Sequence, residues 1–470
     1  MSTAPASDPE VAVGMRVVVI GANLAGLFAA AAAAANGADT VVLERDRLPE
    51  IPEPRKGVPQ GRQAHVLLHR GLLSAEQLLP GLREDLIAHG AAQFDSGAMP
   101  WLGEYGWLPT WWPAFQLVST TRPLLEHLVR QRVIQQPGIA ISEDVRVTGL
   151  RPSGSEWQVL LEDGRVLDAD RVIDASGRSS RLPHWLAELG VRVPEPEQVD
   201  AHLGYACRLY RAKGRPPLET GVMIAATPAT GRGALALPVE NNHWLVIATG
   251  YGDKRPTREP ADFDAYLAGL PDPALADLTA RLEPIGDIAL YRQTSNQRHR
   301  FGRVRGWPDG LLVVGDAACA FNPVYGQGIT VAAQQALLLG DGWPARGLQR
   351  RLDGVADFCW SVATSEDLRH PTSAGQQNLG QRVIARWSTE LAKQATADDR
   401  LAYRAFARAY HLMARPIVLF HPALFLDAAL SAVRGRGAPA PRPEMLGRLR
   451  ESSEGGRPPS IPGSVKAQPA

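Results

Sequence analysis

The run MRVVVIGA at positions 15–22 constrains this chain more than any other stretch: it is apolar and β-branched without interruption, and it stops at Gly21. Such a run reads as a strand buried on both faces of a parallel sheet. The alanine run at 29–35 reads as the interior of a following helix, closed by the C-cap signal Asn36-Gly37. A second short strand at 39–43 ends at Glu44. Together these segments make a βαβ unit of about 30 residues, the opening of a Rossmann-type α/β domain.

The turn between the first strand and the helix carries Gly21-Ala22-Asn23-Leu24-Ala25-Gly26, a degenerate dinucleotide fingerprint. Gly21 is expected to make the tight turn and Gly26 to let helix and strand close on each other, with the helix N-terminus aimed at a pyrophosphate. Asn23 replaces the middle glycine and is expected to tolerate close phosphate approach, because Asn visits left-handed conformations. Glu44 stands where a carboxylate accepts from a ribose hydroxyl pair, a bond worth ~1.5–3 kcal/mol. A solvated Glu at a strand end is the alternative.

A second strand-to-helix junction decides which dinucleotide. GLLVV at 310–314 runs into Gly315-Asp316-Ala317-Ala318, then Asn322-Pro323-Val324-Tyr325-Gly326-Gln327-Gly328 and a helix. Here a carboxylate can take a ribityl hydroxyl, and the helix start can supply N–H groups and positive dipole to a ring that becomes anionic on reduction. That is FAD rather than NAD.

At 470 residues the chain exceeds one compact core, so two or three units are expected. Alternating segments at 139–176, with a hairpin signal at Asp163-Gly164, predict a β-meander returning to the parallel sheet. A second alternating region at 201–252, turning at Glu240-Asn241-Asn242-His243, predicts a separate antiparallel sheet. The resulting organisation is an FAD domain from 12–75, 116–185 and 286–345, and a substrate domain from 76–115 and 186–285. A C-terminal helical region at 346–435 and a disordered tail at 436–470, with a short helix at 444–451, complete it. The net charge of +1 gives no field for nucleic acid or an anionic membrane. The acidic start lacks a secretory pattern, which predicts a cytoplasmic protein. No apolar run is long enough to span a bilayer, and 418–433, broken by His421, Pro422 and Asp427, reads as core or subunit interface. Cys207, Cys319 and Cys359 read as buried thiols without a catalytic role.

With these residues in view, the chain resembles the FAD-dependent monooxygenases of the para-hydroxybenzoate hydroxylase fold, most of all the flavin epoxidases of polyether antibiotic biosynthesis. The likeness is densest at the fingerprint with Glu44-Arg45-Asp46, at Arg55-Lys56-Gly57-Val58-Pro59-Gln60-Gly61-Arg62 with His65, at Thr121-Arg122-Pro123-Leu124-Leu125, and from Trp307 through Gly328. It implies a glutathione-reductase-like FAD domain carrying an inserted antiparallel substrate sheet. It also implies Arg45 near the adenosine, Arg62 and Arg122 near the pyrophosphate or ribityl chain, Asp316 on the ribityl, and Pro323 and Gly326-Gln327-Gly328 facing the flavin ring. For each Arg, a surface ion pair is the alternative. Ser176-Gly177 stands where simpler aromatic hydroxylases carry Asp-Gly, which weakens the case for direct reduction by NAD(P)H and makes a flavin reductase a candidate partner.

The implied reaction is epoxidation or hydroxylation of an apolar polyketide, terpenoid or aromatic with O2 and NAD(P)H. A flavoprotein cyclase that keeps FAD as a non-redox element is the alternative, and the halogenase signature is absent. The sequence carries no nucleophile triad, paired carboxylates or metal-ligand set, which agrees with a cofactor that does the chemistry while the protein positions substrate and excludes water. Trp101, Trp107, Trp112 and Phe115, together with Tyr325, are candidates for an apolar substrate wall, with ordinary core as the alternative. His65 and His69 have helical spacing but no third ligand, so no metal is expected.

Overall fold

A computed structural model describes residues 14–340, 347–435 and 437–451. The strand Arg16–Ile20 lies at the centre of a five-stranded parallel sheet, between Asp39–Leu43 on one side and Arg171–Asp174 on the other. Leu311–Val313 and Ile139–Ser142 form its edges. Helix Leu24–Ala35 packs between this sheet and helices Arg122–Ile134 and Gly328–Gly340. Its alanines 29–33 are buried on every side, and only side chains that small let neighbouring helices close so tightly over one sheet. The expected meander is shorter than 139–176: it comprises Val147–Ser153, Glu156–Leu161 and Val166–Ala169, whereas Ile139–Ser142 joins the parallel sheet beside Asp39–Leu43.

The second sheet has seven strands, in the order Leu282–Tyr291, Leu203–Ala212, His243–Tyr251, Arg232–Val239, Val222–Ile224, Trp101–Gly103 and Gly106–Trp107. Its hairpin turns at Asn241 and Asn242, both at positive φ near 60°, as a two-residue turn matched to strand twist requires. One face buries Trp107, Tyr210 and Trp244 beneath helices Pro260–Ala268, Ala274–Thr279 and Glu444–Glu451. The other face carries Tyr205, Leu235 and Leu237 toward the rest of the molecule.

Position 76 falls inside helix His69–Leu78, and Leu79, Leu82 and Leu86 share the apolar core of the parallel sheet. Position 286 falls inside strand Leu282–Tyr291. Part of the expected disordered tail is built in: Arg442 forms an ion pair with Asp272, and Leu446 is fully buried against the second sheet. Residues 452–470 and the start of the chain lie outside the described residues. Helix Pro422–Arg434 is core on one side only: Leu424 is buried beside Leu391 and Ala395, while Phe425 and Leu426 are exposed. All three cysteines are buried and none is in a disulfide among the described residues, and burial pushes Cys359 up to about 12. No helix among the described residues is long and apolar enough to cross a membrane.

Candidate active site

The fingerprint turn shows why its two glycines stand where they do. Gly21 adopts φ +104°, and a Cβ there would lie 2.8 Å from the Ala175 carbonyl oxygen. A Cβ on Gly26 would lie 1.8 Å from the Gly21 oxygen, so helix and strand could not close. Asn23 departs from expectation. It is extended (φ −81°, ψ 177°) rather than left-handed, and it serves as the helix N-cap. Its Oδ1 accepts from the amides of Ala25 (3.0 Å) and Gly26 (3.4 Å), while Nδ2 donates to Ala175 O (2.5 Å). A side chain thus occupies part of the amide set that the sequence assigned to a pyrophosphate.

Glu44 also departs. It is turned under the loop, where Oε2 accepts from Ala22 N (2.8 Å) and Oε1 from Asp46 N (3.0 Å). Arg55, missed as a site residue, explains this orientation. Its guanidinium is buried, pairs with Glu44 (3.1 Å), Asp46 (3.2 Å) and Glu126 (3.2 Å), and donates to Ala22 O (3.1 Å). Burial alone would lower the Arg55 pKa, but the carboxylates of Glu126, Glu44 and Asp46 outweigh it and raise it. Arg122 completes the set through a 2.7 Å bond to Glu126. Burial would raise Glu126, yet Arg122 and Arg55 hold it below the usual carboxylate range. Such a network is costly to break at one member, because an unpaired buried charge remains.

A cleft of about 530 Å³ runs from this turn to the second strand-to-helix junction. Of the expected residues, Asn23, Leu24, Ala25, Arg45, Arg122, Gly315, Asp316, Pro323, Gly326, Gln327 and Gly328 line it. Gly21, Gly26 and Glu44 shape it from behind. Arg62 is exposed and does not reach the wall, so the structure does not bring it to the site. Gln63 and Tyr291, which the sequence did not single out, also line the cleft, as do His65, Ser176 and Arg178. Arg178 is fixed by hydrogen bonds to the carbonyls of Ser295 and Phe321. Burial pushes the Asp316 carboxyl up, against the opposing pull of Arg178 and Arg122. The His65 imidazole, in strand Ala64–Leu67 and not on a helix with His69, is driven down to about 3 by burial and Arg122 and is therefore neutral.

The five aromatic candidates are dispersed. Trp101 lines a separate apolar cavity of about 60 Å³, with Met99, Leu117, Met223, Leu235 and Phe406. Trp107 is on the opposite face of the sheet, in the core beside Tyr210 and Trp244. Trp112 is held away from the cavity by a 2.6 Å bond from Nε1 to Asp398 and by the Arg400 guanidinium 4.6 Å from its ring. Phe115 packs on His69 and His411, behind the wall. Tyr325 points at Asp367, to which its hydroxyl donates at 2.8 Å. Val66 lines both the apolar cavity and the cleft.

The FAD-binding domain family matches residues 14–343. Protein Rv3254 of Mycobacterium tuberculosis is 32% identical over 361 residues, 73% of this chain and 75% of its own length. The chain belongs to the FAD-binding domain family. Its relatives include a rifampicin monooxygenase of Streptomyces venezuelae, 26% identical with 81% of this chain and 73% of that protein covered. A dialkyldecalin synthase of Streptomyces rugosporus is 24% identical, with 69% of this chain and 64% of that protein covered. Among solved structures, a flavoprotein/dehydrogenase from Cytophaga hutchinsonii shares the fold, with a TM-score of 0.63 at 16% identity over 89% of this chain and all of that one. The protein is an FAD-dependent enzyme of the flavin monooxygenase kind, in a family for which NAD(P)H is the typical reductant.

The cleft of this flavoprotein fits a cofactor rich in hydrogen-bonding groups. Three buried polar atoms of its lining residues, Ser176 Oγ, Gln63 Oε1 and Gln327 Oε1, have no partner among the described residues, and native interiors seldom leave such atoms unmatched. The junction at 322–328 is itself braced from behind. Buried Asp367 accepts from Asn296 Nδ2 (2.6 Å), Asn322 Nδ2 (3.1 Å) and the Tyr325 hydroxyl. Tyr205 donates to Asn322 Oδ1 at 2.9 Å. Asn322 in turn caps the turn Pro323–Tyr325. Burial raises Asp367 to about 6 despite these donors.

Proposed function

We propose that this flavoprotein is a cytoplasmic monooxygenase that puts one atom of O2 into an apolar natural-product intermediate, by epoxidation or hydroxylation. The second oxygen atom leaves as water, on two electrons from NAD(P)H, delivered directly or by a flavin reductase. The observation that carries this reading is that Val66 lines both cavities, setting a polar cofactor cleft beside a small apolar one. Bound FAD supplies the oxygen-activating and electron-carrying chemistry. The chain's own part is to bind, orient and dry. Asp316 would accept from the ribityl hydroxyls, Arg45 would meet the adenosine and Arg122 with Arg178 the anionic centre of the cofactor. The helix start at Gly328 would direct its N–H groups at the flavin ring. Neutral His65 places no competing charge beside it. The likeness to polyether epoxidases supports an alkene-bearing substrate.

Anaerobic mixing of the yellow holoprotein with NADPH, with and without candidate substrates, tests this. Substrate-stimulated bleaching, then oxygen uptake and a product heavier by one oxygen, is expected. A second reading, a cyclase that holds FAD without turning it over, is favoured by Ser176 at the position of the family's Asp and by the synthase relative. An isomeric product formed without oxygen or reductant would establish it instead.

A further inference from the structure

Helix Arg400–Tyr410 forms one side of the apolar cavity, contributing Tyr403, Phe406, Ala407 and Tyr410, with His411 following. Most of the lining is aliphatic or aromatic, and two of its polar side chains are satisfied within the protein. Ser96 Oγ accepts from Phe115 N (3.3 Å), and the Tyr403 hydroxyl donates to Trp112 O (3.3 Å). Tyr410 and His411 differ. The His411 ring is 2% exposed, and its Nδ1 accepts the backbone N–H of His69 at 3.3 Å. That bond places the ring proton on Nε2. Burial, reinforced by His69, drives His411 down to about 4, so the ring is neutral. Its Nε2–H has no acceptor among the described residues, and the Tyr410 hydroxyl has none either. Burial pushes Tyr410 up to about 12, so it keeps its proton. The two rings meet edge to face with centroids 5.3 Å apart.

Tyr410 is half-buried and His411 buried, and two adjacent donors without an acceptor on a largely apolar wall leave a specific chemical gap for whatever enters the cavity. We propose that the Tyr410 hydroxyl and His411 Nε2–H together receive one acceptor oxygen, of carbonyl type, on an otherwise apolar substrate. This rests on the cavity being the substrate site of the proposed monooxygenase. The pair narrows the substrate class: a pure hydrocarbon leaves both donors unmet, and a polyanion does not suit the aliphatic wall. It also fixes orientation, since anchoring one oxygen on this helix determines which carbon lies against Val66.

The test uses the FAD-loaded full chain with two slender probes, 2-pentanone and pentane, followed by saturation-transfer NMR. The parent should bind the ketone about three- to tenfold more tightly than the alkane. Tyr410→Phe and His411→Phe should each bring the ketone down toward the alkane and leave the alkane unchanged. Equal affinity of the parent for both probes, or a ketone preference that survives in both variants, overturns the pair while the cavity stands. Binding of neither probe removes the cavity as the substrate site, and the pair with it. Should His411→Phe fail to retain FAD, Tyr410→Phe, which loses one unbonded oxygen, decides alone.

Discussion

The two cavities that meet at Val66 are built on opposite plans. The cleft takes its walls from a few contiguous runs, around 23–25, 57–66, 176–179 and 315–329. Those runs are turns and helix starts, whose backbones must adopt set conformations. The apolar cavity takes single side chains from elements far apart in the chain, such as Leu68, Trp101, Met223, Leu235 and Phe406. A turn that brings backbone near a charged ligand restricts residue type at adjacent positions. An apolar wall asks only for size and hydrophobicity, which many residues satisfy.

The sharpest way to break this contrast is at the fingerprint. Gly26→Ala puts a methyl 1.8 Å from a carbonyl oxygen, and about 3 kcal/mol or more should be lost, read as collapse of soluble yield and melting temperature. A variant melting within a few degrees of the parent would separate the cleft from that turn. Next, Trp107→Ala should cost about 3–5 kcal/mol in chemical denaturation, because the ring fills packed core. Trp101→Ala should spare most of that stability and instead weaken binding of apolar ligands.

Asp367 tests the bracing of the cleft through pH. Its folded pKa of about 6 lies above the ordinary value of 3.8, so its neutral form is favoured by folding. That contribution is full below about pH 4 and is lost as pH rises through about 6, worth up to about 3 kcal/mol. Urea titrations of the parent and Asp367→Asn should show the parent losing ground to the variant across that window; parallel curves would sink the assignment. Asp316→Ala should purify with roughly tenfold less bound FAD, by flavin absorbance, and full retention would mean its role is misplaced. The smallest effect is reserved for Arg62→Ala, expected within about 0.5 kcal/mol of the parent in stability and with its FAD content intact, whereas Arg122→Ala should unsettle Glu126 and Arg55 as well.

These contrasts explain what the sequence disclosed. The βαβ opening, the second junction and Asp316 in the cleft were legible because each is local: strand, turn and helix follow one another within a few residues. Glu44 was legible at its strand end, but its pairing with Arg55 was not, because Arg55 reaches it from a loop whose path depends on tertiary packing. The Asn23 cap was readable in principle, since Asn before a helix is a strong N-cap signal, but the expectation of phosphate contact masked it. The clustered tryptophans looked like one wall. Alternation along the short strands Trp101–Gly103 and Gly106–Trp107, joined by a tight hairpin, sends Trp101 and Trp107 to opposite faces of the sheet.

Helix Arg400–Tyr410 lies beyond residue 343, where the match to the FAD-binding family ends. Under the proposed function, the two donors that would select a guest's oxygen are therefore carried beyond the flavin-loading stretch, while Leu68, Trp101, Met223 and Leu235 within that stretch supply much of the apolar wall. New substrate preferences could then arise by exchange or drift of that C-terminal stretch, with the flavin apparatus left as it is.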